Sequence, residues 1–91
     1  MVKRAKDKKD LYKVLEEIHF FKESKGCSDC RNIYPHYILE FDHRPEHKKI
    51  DNVYRVLRTY GEKAAWNEIK KCDVVCANCH KQRTYIRDQA A

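Results

Sequence analysis

Two short cysteine pairs constrain this chain more than any other feature. Cys27-Ser28-Asp29-Cys30 and Cys76-Ala77-Asn78-Cys79 are both C-x2-C, and 45 residues lie between Cys30 and Cys76. Each pair can bend its segment so that two sulfurs face one point, and two such pairs complete the tetrahedral all-sulfur shell that Zn²⁺ prefers. The start of the chain, Met1-Val2-Lys3-Arg4, lacks the apolar core of a signal peptide, so a cytoplasmic location is expected. Cysteines in a reducing compartment bind metal more often than they pair as disulfides. A four-cysteine site keeps no open coordination position. Such a zinc is structural, and its binding would contribute on the order of 10 kcal/mol to folding. The support matters, because a chain of 91 residues buries only roughly 60–65% of its unfolded surface. Cys72 is the fifth and odd cysteine. It reads as a small buried thiol packing against Ile69 and Val75, with replacement of one zinc ligand as the alternative.

Charge indicates the partner. Lys and Arg number 20 against 14 Asp and Glu, a formal charge of +6. A zinc held by four thiolates subtracts about two of these and leaves the domain basic, which suits a polyanion such as DNA. Hydrophobic residues at 42% with only two Gly and two Pro exclude a low-complexity chain. No apolar run approaches the roughly 20 residues of a transmembrane helix, so no membrane partner is expected.

The chain reads as one domain over residues 1–91, beginning with a flexible basic tail over 1–6. Leu11, Val14, Leu15, Ile18 and Phe21 follow helical spacing and predict a helix over 7–25, stopped by Lys25-Gly26. Tyr37 to Phe41 predicts a strand leading into Asp42-His43. Ile50, Val53, Tyr54 and Leu57 predict a second helix ending at Gly61, and Ala64, Ala65, Trp66 and Ile69 a third, with Lys70 and Lys71 placed to meet its dipole. Asp73-Val74-Val75 is read as no more than a strand fragment. His80 to Gln89, free of Gly and Pro, predicts a last helix. Trp66 with Tyr54, Leu57 and Ile69 reads as core, while His19 and His36 read as surface or packing residues.

Asp42-His43 is where hydrolytic chemistry would reside. A carboxylate can hold a hard cation while a neutral imidazole takes a proton from water. His80 follows Cys79 at the start of the last helix, and adjacent helical residues project about 100° apart. Cys79 can therefore serve the zinc while His80 faces the strand that carries Asp42.

Leu39-Glu40-Phe41-Asp42-His43, followed by Val75-Cys76-Ala77-Asn78-Cys79-His80, resembles the zinc-knuckle HNH endonucleases with a ββα-metal (His-Me finger) core, among them the phage recombination endonucleases. The resemblance covers about residues 26–88. It implies an α+β fold: a small treble-clef-like ββα-metal core with a structural four-cysteine zinc, an added N-terminal helix, and a helical insert from Ile50 to Lys71. It further implies that Asp42 and His80 are ligands of a catalytic divalent ion, Mg²⁺ or Mn²⁺, that His43 is the general base, and that cleavage leaves 5′-phosphate and 3′-hydroxyl ends. One feature departs from the family. Lys71 stands about where the middle Asn of the family name is expected, leaving Asn67 and Asn78 as candidates for that role.

The expected activity is thus hydrolysis of a DNA phosphodiester, with His43 oriented by a backbone carbonyl through its other ring nitrogen. Arg44, Lys48, Lys49, Arg55, Arg58, Lys81 and Arg83 are candidate phosphate contacts, with Arg87 beside them on the last helix and His47 close enough in sequence to His43 to touch substrate. A homodimer is one arrangement that would cut both strands. The alternatives are a non-catalytic zinc-bound nucleic-acid-binding module and a protein-binding zinc ribbon.

Overall fold

The computed structural model describes residues 7–90, so the basic tail expected over 1–6 lies outside the described residues. Helix α1 spans Asp7–Lys25 and buries Val14 and Ile18 on one stripe. Gly26 ends it with φ 69° and donates its N–H to Lys22 O, and a Cβ there would meet Asn32 O at 3.1 Å. Only glycine suits both the left-handed backbone and the close approach.

The predicted strand begins two residues later than expected. His36–Ile38 form a 3₁₀ turn after Pro35, and β1 spans Leu39–His43. Proline at the turn's N-cap has no N–H to give to a sheet, and Tyr37 is left exposed. Helix α2 (Val53–Tyr60) starts at Asn52, whose side chain accepts the Arg55 N–H at 2.9 Å. That capping contact, rather than apolar Ile50, sets the first turn. Gly61, at φ 97°, ends α2 and starts α3 (Glu62–Ile69).

Asp73-Val74-Val75 proves to be the centre of a full five-residue strand, β2 (Cys72–Cys76), antiparallel to β1 in register from Leu39↔Cys76 to His43↔Cys72. Pairing along the whole of β1 supplies what a short apolar segment lacks alone. The last helix, α4 (Ala77–Ala90), begins three residues before the expected His80. Cys76 Sγ accepts the Cys79 N–H at 3.5 Å, so the knuckle sulfur caps the helix. The described residues therefore form a small α+β fold with four α-helices and a two-stranded antiparallel sheet, and no helix among them is long and apolar enough to cross a membrane.

Strand alternation sends Leu39, Phe41 and His43 to one face of the sheet and Glu40 and Asp42 to the other. The first face meets α1 to α3, where Val14, Ile18, Val53, Leu57, Ala65 and Ile69 form one core cluster with Phe41, Tyr54 and Trp66 packed against it. Trp66 meets Phe21 edge-on at 5.6 Å, in keeping with its reading as core. Lys22 is buried in the same layer, donating to Leu39 O at 2.8 Å and lying over the Phe41 and Tyr54 rings. A second cluster, with Cys27, Leu39, Val74, Val75 and Cys76, lies under the cysteine knuckles. Phe21 and Phe41 touch both clusters.

Candidate functional site

Cys27, Cys30, Cys76 and Cys79 converge, with their sulfurs all within 4.8 Å of one another. The first knuckle is shaped by the Cys30 N–H turned onto Cys27 Sγ and by Arg31 in the left-handed region at φ 66°. It is tied to the sheet by the Ser28 N–H donating to Val74 O at 2.8 Å. Zinc–sulfur bonds near 2.3 Å place tetrahedral sulfurs about 3.8 Å apart, and Cys30 Sγ lies 4.0 Å from Cys76 Sγ. The four residues fit a metal ion such as zinc. Cys72 stands apart, with its Sγ directed at Glu68 O and its thiol pushed up to about 12 by burial and by the Glu68 charge. It shares the helical face with Ile69, while Val75, an expected neighbour, belongs to the other cluster.

On the opposite face, α4 brings His80 against the sheet. His80 Nε2 lies 3.4 Å from Asp42 Oδ1, and its Nδ1 lies 2.6 Å from Glu40 Oε1. The three side chains sit at β1 and the first turn of α4, where a shallow cleft is lined by Glu40, Ala77, Asn78, His80, Lys81 and Thr84. Glu40 escaped the sequence reading. Its signal was position, since it stands two residues before Asp42 and therefore on the same strand face.

Asp42 is 4% exposed and its carboxylate is already paired. Arg87 donates to both oxygens at 2.9 Å, and Arg83 donates to Oδ2 at 2.7 Å. Burial raises the pKa of this carboxyl, but the two guanidiniums and His80 outweigh burial and leave it below the usual range. Arg83 also makes a bidentate pair with Asp29 and a bond to Asp73, which faces Asp42 across the strands. Facing carboxylates repel, and Arg83 is the cation that holds them together.

Two of the expected phosphate contacts have partners within the protein. Arg83 is engaged with three aspartates, and Arg44 is bonded to Asp73 and to the carbonyls of Cys72 and Lys70. Both cross-link elements of the fold through charge-assisted bonds while staying part-exposed. Lys48, Lys49, Arg55, Arg58 and Lys81 do lie on the surface, as does His47. His19 and His36 stack at 3.7 Å, in keeping with their reading as packing residues.

His43 is not brought to Asp42 and His80. It leaves β1 on the helical face, where its Nε2 lies 2.9 Å from Glu68 Oε2. The partner of its ring is therefore a carboxylate from α3 rather than the expected backbone carbonyl. Asn67 and Asn78, the candidates for the middle Asn, are both exposed. Glu68 also escaped the sequence reading, although it lies on the apolar stripe of Ala64, Ala65 and Ile69, where an acid has to find partners. No family model, curated protein or solved structure matches the chain.

Proposed function

We propose that the protein is an HNH-type endonuclease, a zinc-stapled, treble-clef-like ββα-metal domain that hydrolyses DNA phosphodiester bonds. The observation that carries this reading is the approach of Asp42 Oδ1 and His80 Nε2 to 3.4 Å. Two ligands at right angles on a small divalent ion with bonds near 2.1 Å lie about 3.0 Å apart, so the pair fits Mg²⁺ or Mn²⁺. When bound, such an ion supplies Lewis-acid stabilisation of the phosphoryl and leaving oxygens. Glu40 at Nδ1 fixes the His80 ring and directs its Nε2 toward Asp42, the usual arrangement behind a histidine ligand. His43 leaves the other face of β1, so its role as the base that takes the proton from the attacking water requires a scissile phosphate seated across the strand end, within reach of both faces. The basic surface of Lys48, Lys49, Arg55, Arg58 and Lys81 meets the DNA backbone.

The second reading, a non-catalytic zinc-bound nucleic-acid-binding module, has its own support. Both oxygens of Asp42 are held by Arg83 and Arg87, as a purely structural carboxylate would be. Incubation of the zinc-loaded protein with supercoiled plasmid and a panel of divalent ions separates the two. Nicked or linear product with Mg²⁺ or Mn²⁺, absent in Asp42→Asn, supports the nuclease. Plasmid binding without cleavage in any ion supports the binding module.

A further inference from the structure

Glu68 is 1% exposed, yet every part of its carboxylate is used. Oε2 accepts the Ile50 N–H at 2.9 Å and lies 2.9 Å from His43 Nε2, while Oε1 pairs with Lys71 Nζ at 3.0 Å. Lys71 is held in turn by donating to Lys48 O at 2.8 Å. Burial raises the pKa of the Glu68 carboxyl, but the Ile50 N–H, Lys71 and His43 together bring it below the ordinary range. An ionised carboxylate only accepts hydrogen bonds.

An acceptor with fixed orientation at Nε2 requires that the hydrogen of a neutral imidazole be on Nε2. The other ring nitrogen then carries the lone pair. We propose that Glu68 is a positioning residue that locks His43 as the Nε2–H tautomer and so makes Nδ1 the nitrogen that receives the proton from water. The final step of this inference rests on the nuclease reading, whereas the tautomer does not. Ile50 and Lys71 complete the device by fixing the direction of the carboxylate from the loop after β1 and from the end of α3. The anchor lies on the helical insert, so the insert is joined to the end of the strand that carries Asp42 and His43.

The test has a spectroscopic arm and a kinetic arm. Long-range ¹H–¹⁵N spectra of the zinc-loaded protein, followed with pH until the ring shifts are those of a neutral imidazole, are expected to show His43 with a slowly exchanging Nε2–H. That proton should become fast-exchanging in Glu68→Met. An Nδ1–H tautomer in the wild type would overturn the proposal whether or not the protein cleaves DNA.

In plasmid nicking with Mn²⁺, Glu68→Met is expected to lower kcat at least about 10-fold, toward the 10²–10⁴-fold worth of a positioned general base, with KM unchanged. Lys63→Met, at an exposed position of α3 outside this set of contacts, should stay within about 3-fold of wild type by the same measure. Glu68→Gln keeps an oxygen for the Ile50 N–H and His43, so it should retain the protected Nε2–H and most of kcat. It decides the matter if Glu68→Met does not fold. Wild-type kcat in a folded Glu68→Met protein, or a lost Nε2–H with full kcat in Glu68→Gln, would overturn the positioning role. If the wild type nicks no DNA, the nuclease reading fails, and the spectra still decide whether Glu68 sets the tautomer.

Discussion

Asp42 and His43 are neighbours in the chain, yet their side chains take opposite faces of β1, one toward His80 and Arg87 on α4, the other toward Glu68 on α3. Each histidine at this strand has a carboxylate behind it, Glu40 for His80 and Glu68 for His43. The two can therefore be separated by mutation. Removing His80 should weaken the hold on a divalent ion, and removing His43 should stop proton transfer with ion binding intact. We expect His43→Ala to lose cleavage by roughly 10²–10⁴-fold at every ion concentration. His80→Ala should recover partly as Mn²⁺ is raised, and His80→Asn should retain more activity. Cleavage rate against ion concentration, with zinc content followed in parallel, provides the check. Unchanged cleavage by His43→Ala would rule out its role as base.

Zinc should bind at one ion per chain through Cys27, Cys30, Cys76 and Cys79. Cys76→Ser is expected to lose the metal and cooperative unfolding together, because the same sulfur caps α4. Cys72→Ser should keep full zinc. Metal analysis with thermal melts of both variants would expose the reverse assignment.

Cys72 should also be chemically silent in the folded protein. Its thiol is pushed up to about 12, first by burial and then by Glu68, so at pH near 8 almost none is thiolate, the form that reacts. Peptide mapping after iodoacetamide treatment should find Cys72 unlabelled in the zinc-loaded protein and labelled after denaturation. Its labelling should rise as the solution is made more alkaline toward that value. Rapid labelling of native Cys72 at pH 8 would contradict the burial argument.

Arginine and lysine variants should divide by role. Arg83→Ala leaves Asp29, Asp42 and Asp73 without their shared cation, and with the site part-exposed we expect a stability loss of about 1–3 kcal/mol in urea unfolding. Lys48→Ala with Lys49→Ala should leave stability within about 0.5 kcal/mol. The double variant should weaken DNA binding and reduce the salt slope by about one for each phosphate that is no longer neutralised. A salt slope unaffected by removing both lysines would exclude that loop from the DNA interface.

Ile18 is fully buried among Val14, Val53, Leu57 and Ala65. Ile18→Ala should cost about 2–5 kcal/mol, with zinc stoichiometry unchanged because the knuckles rest on the other cluster. Denaturant midpoints with metal analysis would show whether the two clusters are this independent.

The sequence alone was enough to assemble the cysteine shell and to locate four helical segments and the first strand. Those features depend on local spacing: C-x2-C bends a chain whatever surrounds it, and the apolar stripe of α1 follows the helical period. It also indicated that His80, one residue past Cys79, would face the strand of Asp42. Tertiary structure decided what spacing does not encode. β2 became a full strand only because β1 lay beside it, and α4 began early because a sulfur capped it. Arg44 and Arg83 looked like free surface charge until the fold placed aspartates against them. The separation of Asp42 from His43 follows from strand alternation, which any strand implies. That Arg87 and Glu68 are their respective partners depends on helices more than 20 residues away in sequence, and such long-range polar pairing is set by packing rather than by neighbours in the chain.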